Sequence, residues 1–143
     1  MKSLSVFSAL VLFILFGCRS EEPLNLEAFN PEAFAFDLGD LWEVNATVRV
    51  KGFKQNRDDD TKIYSASVFY SVDLEKPSGE VRENVFKFLR DASNNEPIMD
   101  IGLDAQFELG ADYEVGTYKL IFKIKDEFSD MQTNSTVEFE LQK

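Results

Sequence analysis

From residue 42 onward the chain alternates apolar and polar side chains with period two, the pattern of strands that bury one face. In residues 42–53, Trp42, Val44, Ala46, Val48 and Val50 share one face, and Glu43, Asn45, Thr47, Arg49 and Lys51 share the other. Residues 63–74 repeat this: Tyr64, Ala66, Val68, Tyr70, Val72 and Leu74 inward, Ser65, Ser67, Ser71 and Asp73 outward, with Phe69 an apolar exception on the outer face. Residues 104–109 align Ala105, Phe107 and Leu109. The clearest strand opens at Gly116-Thr117-Tyr118; Tyr118, Leu120, Phe122 and Ile124 point one way, Lys119, Lys123 and Lys125 the other, with Ile121 among the lysines. Residues 135–141 set Val137, Phe139 and Leu141 inward, and a short alternation over 32–37 predicts a first edge strand. Residues 81–92 fit two periods. Val81, Val85, Phe88, Leu89 and Ala92 have helical spacing, while Val85-Phe86-Lys87-Phe88-Leu89 reads equally as a strand, which the neighbouring strands favour.

Turn signals separate these runs: Gly39-Asp40, Pro77-Ser78-Gly79 and Asn94-Asn95-Glu96-Pro97. Residues 55–62 (QNRDDDTK) form a charged loop without period. About seven short strands joined by turns predict an all-β chain, one antiparallel β-sandwich over residues 32–143.

The first residues follow another pattern. After Met1-Lys2-Ser3, residues 4–16 are thirteen positions without a charge. A spanning helix needs about 20 apolar residues, so this run has the size of a signal-peptide core. It ends at Leu15-Phe16-Gly17-Cys18, which holds the only cysteine, and turns polar at Arg19-Ser20-Glu21-Glu22. One reading is an uncleaved helix with a free, buried thiol. However, Leu15, Gly17 and Cys18 resemble the signal motif of bacterial lipoproteins, with Phe16 bulkier than is usual at the variable position. The resemblance implies that residues 1–17 are removed and that the Cys18 thiol receives diacylglycerol, anchoring the chain to a membrane. It also implies an acylated amine; two or more chains hold firmly, at ~0.8 kcal/mol per buried CH₂. Residues 18–31 then form a lipidated, flexible tether. Ser20-Glu21-Glu22 is similar to the acidic export signal of some Bacteroidota surface lipoproteins, which implies the outer membrane and its outer face. The same acids also serve simply to keep a tether solvated.

Cutting before Cys18 leaves 126 residues, enough for one domain with its own core. Loss of Lys2 takes the net charge from −11 to −12. Such acidity argues against nucleic acid as a partner and against lying flat on an anionic bilayer. Fourteen Phe, four Tyr and one Trp supply a core without disulfides. The absence of histidine removes Ser-His-Asp and Cys-His nucleophiles and imidazole-based zinc sites.

The segment Asp112-Tyr113-Glu114-Val115-Gly116-Thr117-Tyr118, followed by an alternating strand, resembles the entry to the penultimate strand of immunoglobulin-like domains. The resemblance implies an immunoglobulin-like sandwich with Tyr118 as a corner tyrosine bonded back to the preceding loop; an ordinary core aromatic is the alternative. In that topology Asp58, Asp59, Asp60, Asp126, Glu127 and Asp130 would share one end. Six carboxylates there would suit Ca²⁺, which takes six to eight oxygens, or would be a solvated face neutralised by Lys54, Arg57, Lys62 and Lys125. Phe53, Phe69, Ile121 and Phe128 stand where polar residues are expected, and together would make a patch for a protein partner. These features predict a non-enzymatic, lipid-anchored binding or accessory module of the cell envelope, without cofactor unless calcium, acting with an envelope protein partner. The alternatives are a small hydrolase using paired carboxylates and a calcium-dependent adhesin or sugar-binding module.

Overall fold

The computed structural model describes residues 23–143. Cys18, residues 1–17 and the first part of the expected tether lie outside the described residues. Eight strands follow: β1 (Glu27–Asp37), β2 (Leu41–Lys51), β3 (Asn56–Arg57), β4 (Tyr64–Glu75), β5 (Val81–Asn94), β6 (Ile101–Gly110), β7 (Gly116–Asp126) and β8 (Gln132–Leu141). All pairings are antiparallel. One sheet has the order β1-β2-β6; in the other, β4 pairs with β5, β3 and β7, and β7 pairs with β8. The chain thus crosses between sheets after β2, β5 and β6, giving an immunoglobulin-like sandwich of three strands against four, with β3 a two-residue addition.

The alternating positions become the core. Trp42, Val44, Ala46, Val48 and Val50 from β2 face Val68, Tyr70, Val72 and Leu74 from β4 and Tyr118, Leu120, Phe122 and Ile124 from β7; all are buried. β5 is a strand, which settles the two-period segment.

Two boundaries differ from expectation. The sandwich begins at Leu26, which is buried, so residues 27–31 belong to β1 and not to a tether. A bulge hides this in the sequence. Asn30 has φ 49°, and the register with β2 shifts between Phe29 and Glu32. Ala28 before the break and Ala33 and Ala35 after it pack against the core. Ser67, Ser71 and Asp73, expected outward and solvated, are buried. β4 is central, so its short outer-face side chains are overhung by longer ones on β5 and β7. Asp73 accepts the Asn84 amide hydrogen bond at 2.9 Å and pairs with Lys123 Nζ at 2.5 Å.

Candidate functional site

The six carboxylates do not converge. Asp58 caps its own turn, accepting from the Asp60 and Thr61 amides and the Thr61 hydroxyl at 2.7–2.9 Å. Those donors hold its carboxyl below the usual carboxylate range, the Thr61 amide first. Asp126 is fully buried and accepts from the Lys54 amide (2.8 Å), the Ser129 hydroxyl (2.7 Å) and the Phe128 amide (3.0 Å). It is a bracket between the β2–β3 connection and the β7–β8 turn. Glu127 lies 3.6 Å from Lys125, and Asp59, Asp60 and Asp130 are exposed. Among the described residues no group of three or more Asp and Glu is placed to hold a metal ion.

The expected apolar patch does not form either. Phe53 is 2 % exposed and belongs to the core, because the chain turns inward at Gly52 (φ 75°). Phe69 and Ile121 are half-buried on the outer face of the four-stranded sheet. Phe69 stands opposite Lys125 and Ile121 opposite Asp73, so Ser71 and Lys123 intervene. Phe128 is half-buried in the β7–β8 turn.

At the opposite end, the Tyr118 hydroxyl donates to the Glu114 carbonyl at 2.7 Å, the loop-back contact of a corner tyrosine. Burial, then the neighbouring Glu114, raises its pKa above the ordinary tyrosine value. A pocket of about 290 Å³ beside it is lined by Lys76, Glu80, Asp112, Tyr113 and Glu114, among others. All three acids are exposed, and Glu80 is held by Lys76 at 3.0 Å. Nothing there desolvates a carboxyl in the way that prepares one as a general acid.

The surface that stands out is the edge of β5. Three strands cannot cover four, so β5 overhangs the smaller sheet. Its inward residues Phe86, Phe88 and Arg90 lie opposite Val72, Tyr70 and Val68, yet across the sandwich they face only the edge of β6, at Gly102 and Asp104. A groove of about 230 Å³ runs between Tyr70, Phe86, Phe88 and Arg90 on one side and Gly102 and Asp104 on the other. Its floor is aromatic: Tyr70 to Phe86 5.9 Å, Tyr70 to Phe88 6.2 Å. The Tyr70 hydroxyl donates to the Asp104 carbonyl at 2.5 Å and ties the two sheets together. Burial, then the nearby Asp104, raises the Tyr70 pKa. Phe88 is 50 % exposed on the groove side and Leu89 47 % on the opposite face. The one sequence signal was the adjacent apolar pair Phe88-Leu89, which a half-buried strand would not place on successive positions.

The chain matches no protein-family model, and no curated protein matches it. Three solved structures are similar in shape. A structural-genomics target designated SoR45 has 10 % identity and TM-score 0.45, over 81 % of this chain and 84 % of that one. A Bordetella pertussis protein described as a putative ApaA protein has 13 % identity and TM-score 0.46, over 84 % and 94 %. A protein from Archaeoglobus fulgidus has 13 % identity and TM-score 0.36, over 82 % and 98 %. Likeness at this level says nothing about function.

Proposed function

We propose that this chain is a lipid-anchored lipoprotein of the bacterial cell envelope whose immunoglobulin-like sandwich is a binding module without catalytic activity. The anchor rests on Leu15, Gly17 and Cys18 in the sequence. The binding role rests on the exposed edge of β5, where Phe88 and Leu89 keep about half their surface in water. Edge strands with apolar side chains and free backbone groups are what another chain pairs with, by strand addition. Calcium has no part in this reading, since Asp58 already accepts hydrogen bonds from its own turn and Asp126 from its own turn and from the Lys54 amide.

Two measurements test it. Metabolic labelling with a fatty-acid probe marks the wild-type chain and not Cys18→Ala; a mature chain that retains residues 1–17 overturns the anchor. A photo-crosslinking residue at position 89 in intact cells gives one discrete adduct, and a control at exposed Glu140 gives none. No adduct at 89 overturns the binding role.

A further inference from the structure

The occupant of the β5 edge can be argued from its own chemistry. The Ser67 carbonyl accepts from the Glu127 amide, and the Ile63 carbonyl from the Asp58 amide, both on the β3–β7 side of β4. Successive residues of a strand turn their backbone groups to alternate sides. Odd-numbered residues of β4 therefore serve β3 and β7, and Val68, Tyr70 and Val72 serve β5. Their partners Arg90, Phe88 and Phe86 spend their backbone groups on β4. Lys87, Leu89 and Asp91 consequently point N–H and C=O away from the sheet, into the open edge.

We propose that a second copy of this chain pairs with β5, antiparallel about a two-fold axis through Leu89, so that two sandwiches share one continuous sheet. This rests on the reading of β5 as the binding edge. In this register Leu89 meets Leu89 of the second copy, and Lys87 meets Asp91, twice. All three residues are those with free backbone groups, so about six interchain hydrogen bonds form. On the groove side Phe88 meets Arg90, twice, the pairing of a guanidinium with an aromatic face. Asp91 keeps one oxygen for this: only Oδ1 accepts from the Ser67 hydroxyl, at 2.7 Å.

Neighbouring registers fail. An axis through Lys87 sets lysine against lysine, one through Arg90 sets arginine against arginine, and one through Asp91 sets carboxylate against carboxylate. An axis through Phe88 leaves Lys87 opposite leucine. Only the Leu89 axis joins opposite charges and opposes no like ones, as a self-complementary interface requires. The bulge helps to set the length. Asp73 holds the Asn84 amide, Asn84 has φ 55°, and the register with β4 breaks between Val72 and Leu74. The regular run Phe86–Asn94 beyond it contains every paired residue.

The test is disulfide trapping of the full chain in cells. Hydrogen-bonded antiparallel pairs hold their Cα atoms about 5.5 Å apart, inside the window for a disulfide. Under mild oxidation Leu89→Cys gives a covalent homodimer, whereas the parent chain, whose only cysteine is Cys18, does not. In the Leu89→Cys background, Lys87→Asp lowers the trapped fraction roughly tenfold or more. Adding Asp91→Lys to that variant restores it. These positions are exposed, so an unchanged unfolding midpoint reports an intact fold. A Leu89→Cys chain that stays monomeric, or a charge reversal without effect, overturns the proposal. If the position-89 photo-adduct contains a different protein, the second copy is wrong while the binding role stands; no adduct removes both.

Discussion

Replacing Asp126 by alanine removes a carboxylate with no solvent exposure and three donors aimed at it. Hydrogen bonds to a charged group contribute about 1.5–3 kcal/mol each, and they share one acceptor, so they do not add fully. The expected loss is about 3–5 kcal/mol, a large part of the 5–15 kcal/mol typical of a domain. The variant leaves the Lys54 and Phe128 amides facing an empty space. Trp42, the only tryptophan and 3 % exposed, reports unfolding by fluorescence. With a urea slope of about 2 kcal/mol/M, a loss of 4 kcal/mol moves the midpoint down by about 2 M. Asp126→Asn keeps one acceptor and sets an amide donor against a backbone donor, so it falls between alanine and wild type. Calcium separates the two roles of this residue. A true calcium site would raise wild-type stability by about 2.7 kcal/mol at a hundredfold excess over Kd, and Asp126→Ala would forfeit only that gain. A midpoint that moves by less than about 0.5 M in Asp126→Ala, or a calcium-dependent rise that the variant abolishes, refutes the bracket role.

Tyr118→Phe deletes one hydrogen bond to the Glu114 carbonyl and keeps the packed ring, so unfolding free energy falls by about 1 kcal/mol; no change in the urea midpoint would mean that the corner contact adds nothing. Gly52→Ala places a Cβ onto the Asn25 carbonyl at a φ of 75°, and costs about 3 kcal/mol or more in the same assay. The Asp73 oxygen raises the Lys123 pKa. A folded value above the unfolded ~10.4 means that this contribution is complete below that pH and is lost as pH rises through the folded value. The stability difference between wild type and Lys123→Met should therefore shrink above about pH 10.4, and a difference that grows there contradicts the pairing.

The parts of the fold legible in the sequence are the strands that bury one face. β2, β7 and β8 show their alternation because one side meets the opposing sheet and the other meets water. β1 was readable only after its bulge, since Asn30 and Pro31 break the period on which the reading depends. β5 lacked a clear period for the opposite reason: as an overhanging edge it has no fully buried face, so Phe88 and Leu89 are both exposed. The acidic loops misled because sequence reports how many carboxylates lie near one another, not which amides they accept from. Alternation alone does not place Phe53 in the core, because the single inward turn at Gly52 leaves no mark on the period. Tyr118 is legible because its corner is specified locally, by the three residues between it and Glu114.

Where the chain enters the sandwich, the backbone at Asn25 lies so close to Gly52 that no side chain fits between them, and Leu26 sinks into the core just after. Tension applied to the preceding residues must part that crossing and extract Leu26 before the ladder at Glu27 and Lys51 begins to unzip. A pull from the N-terminal side therefore loads a buried plug instead of fraying a strand.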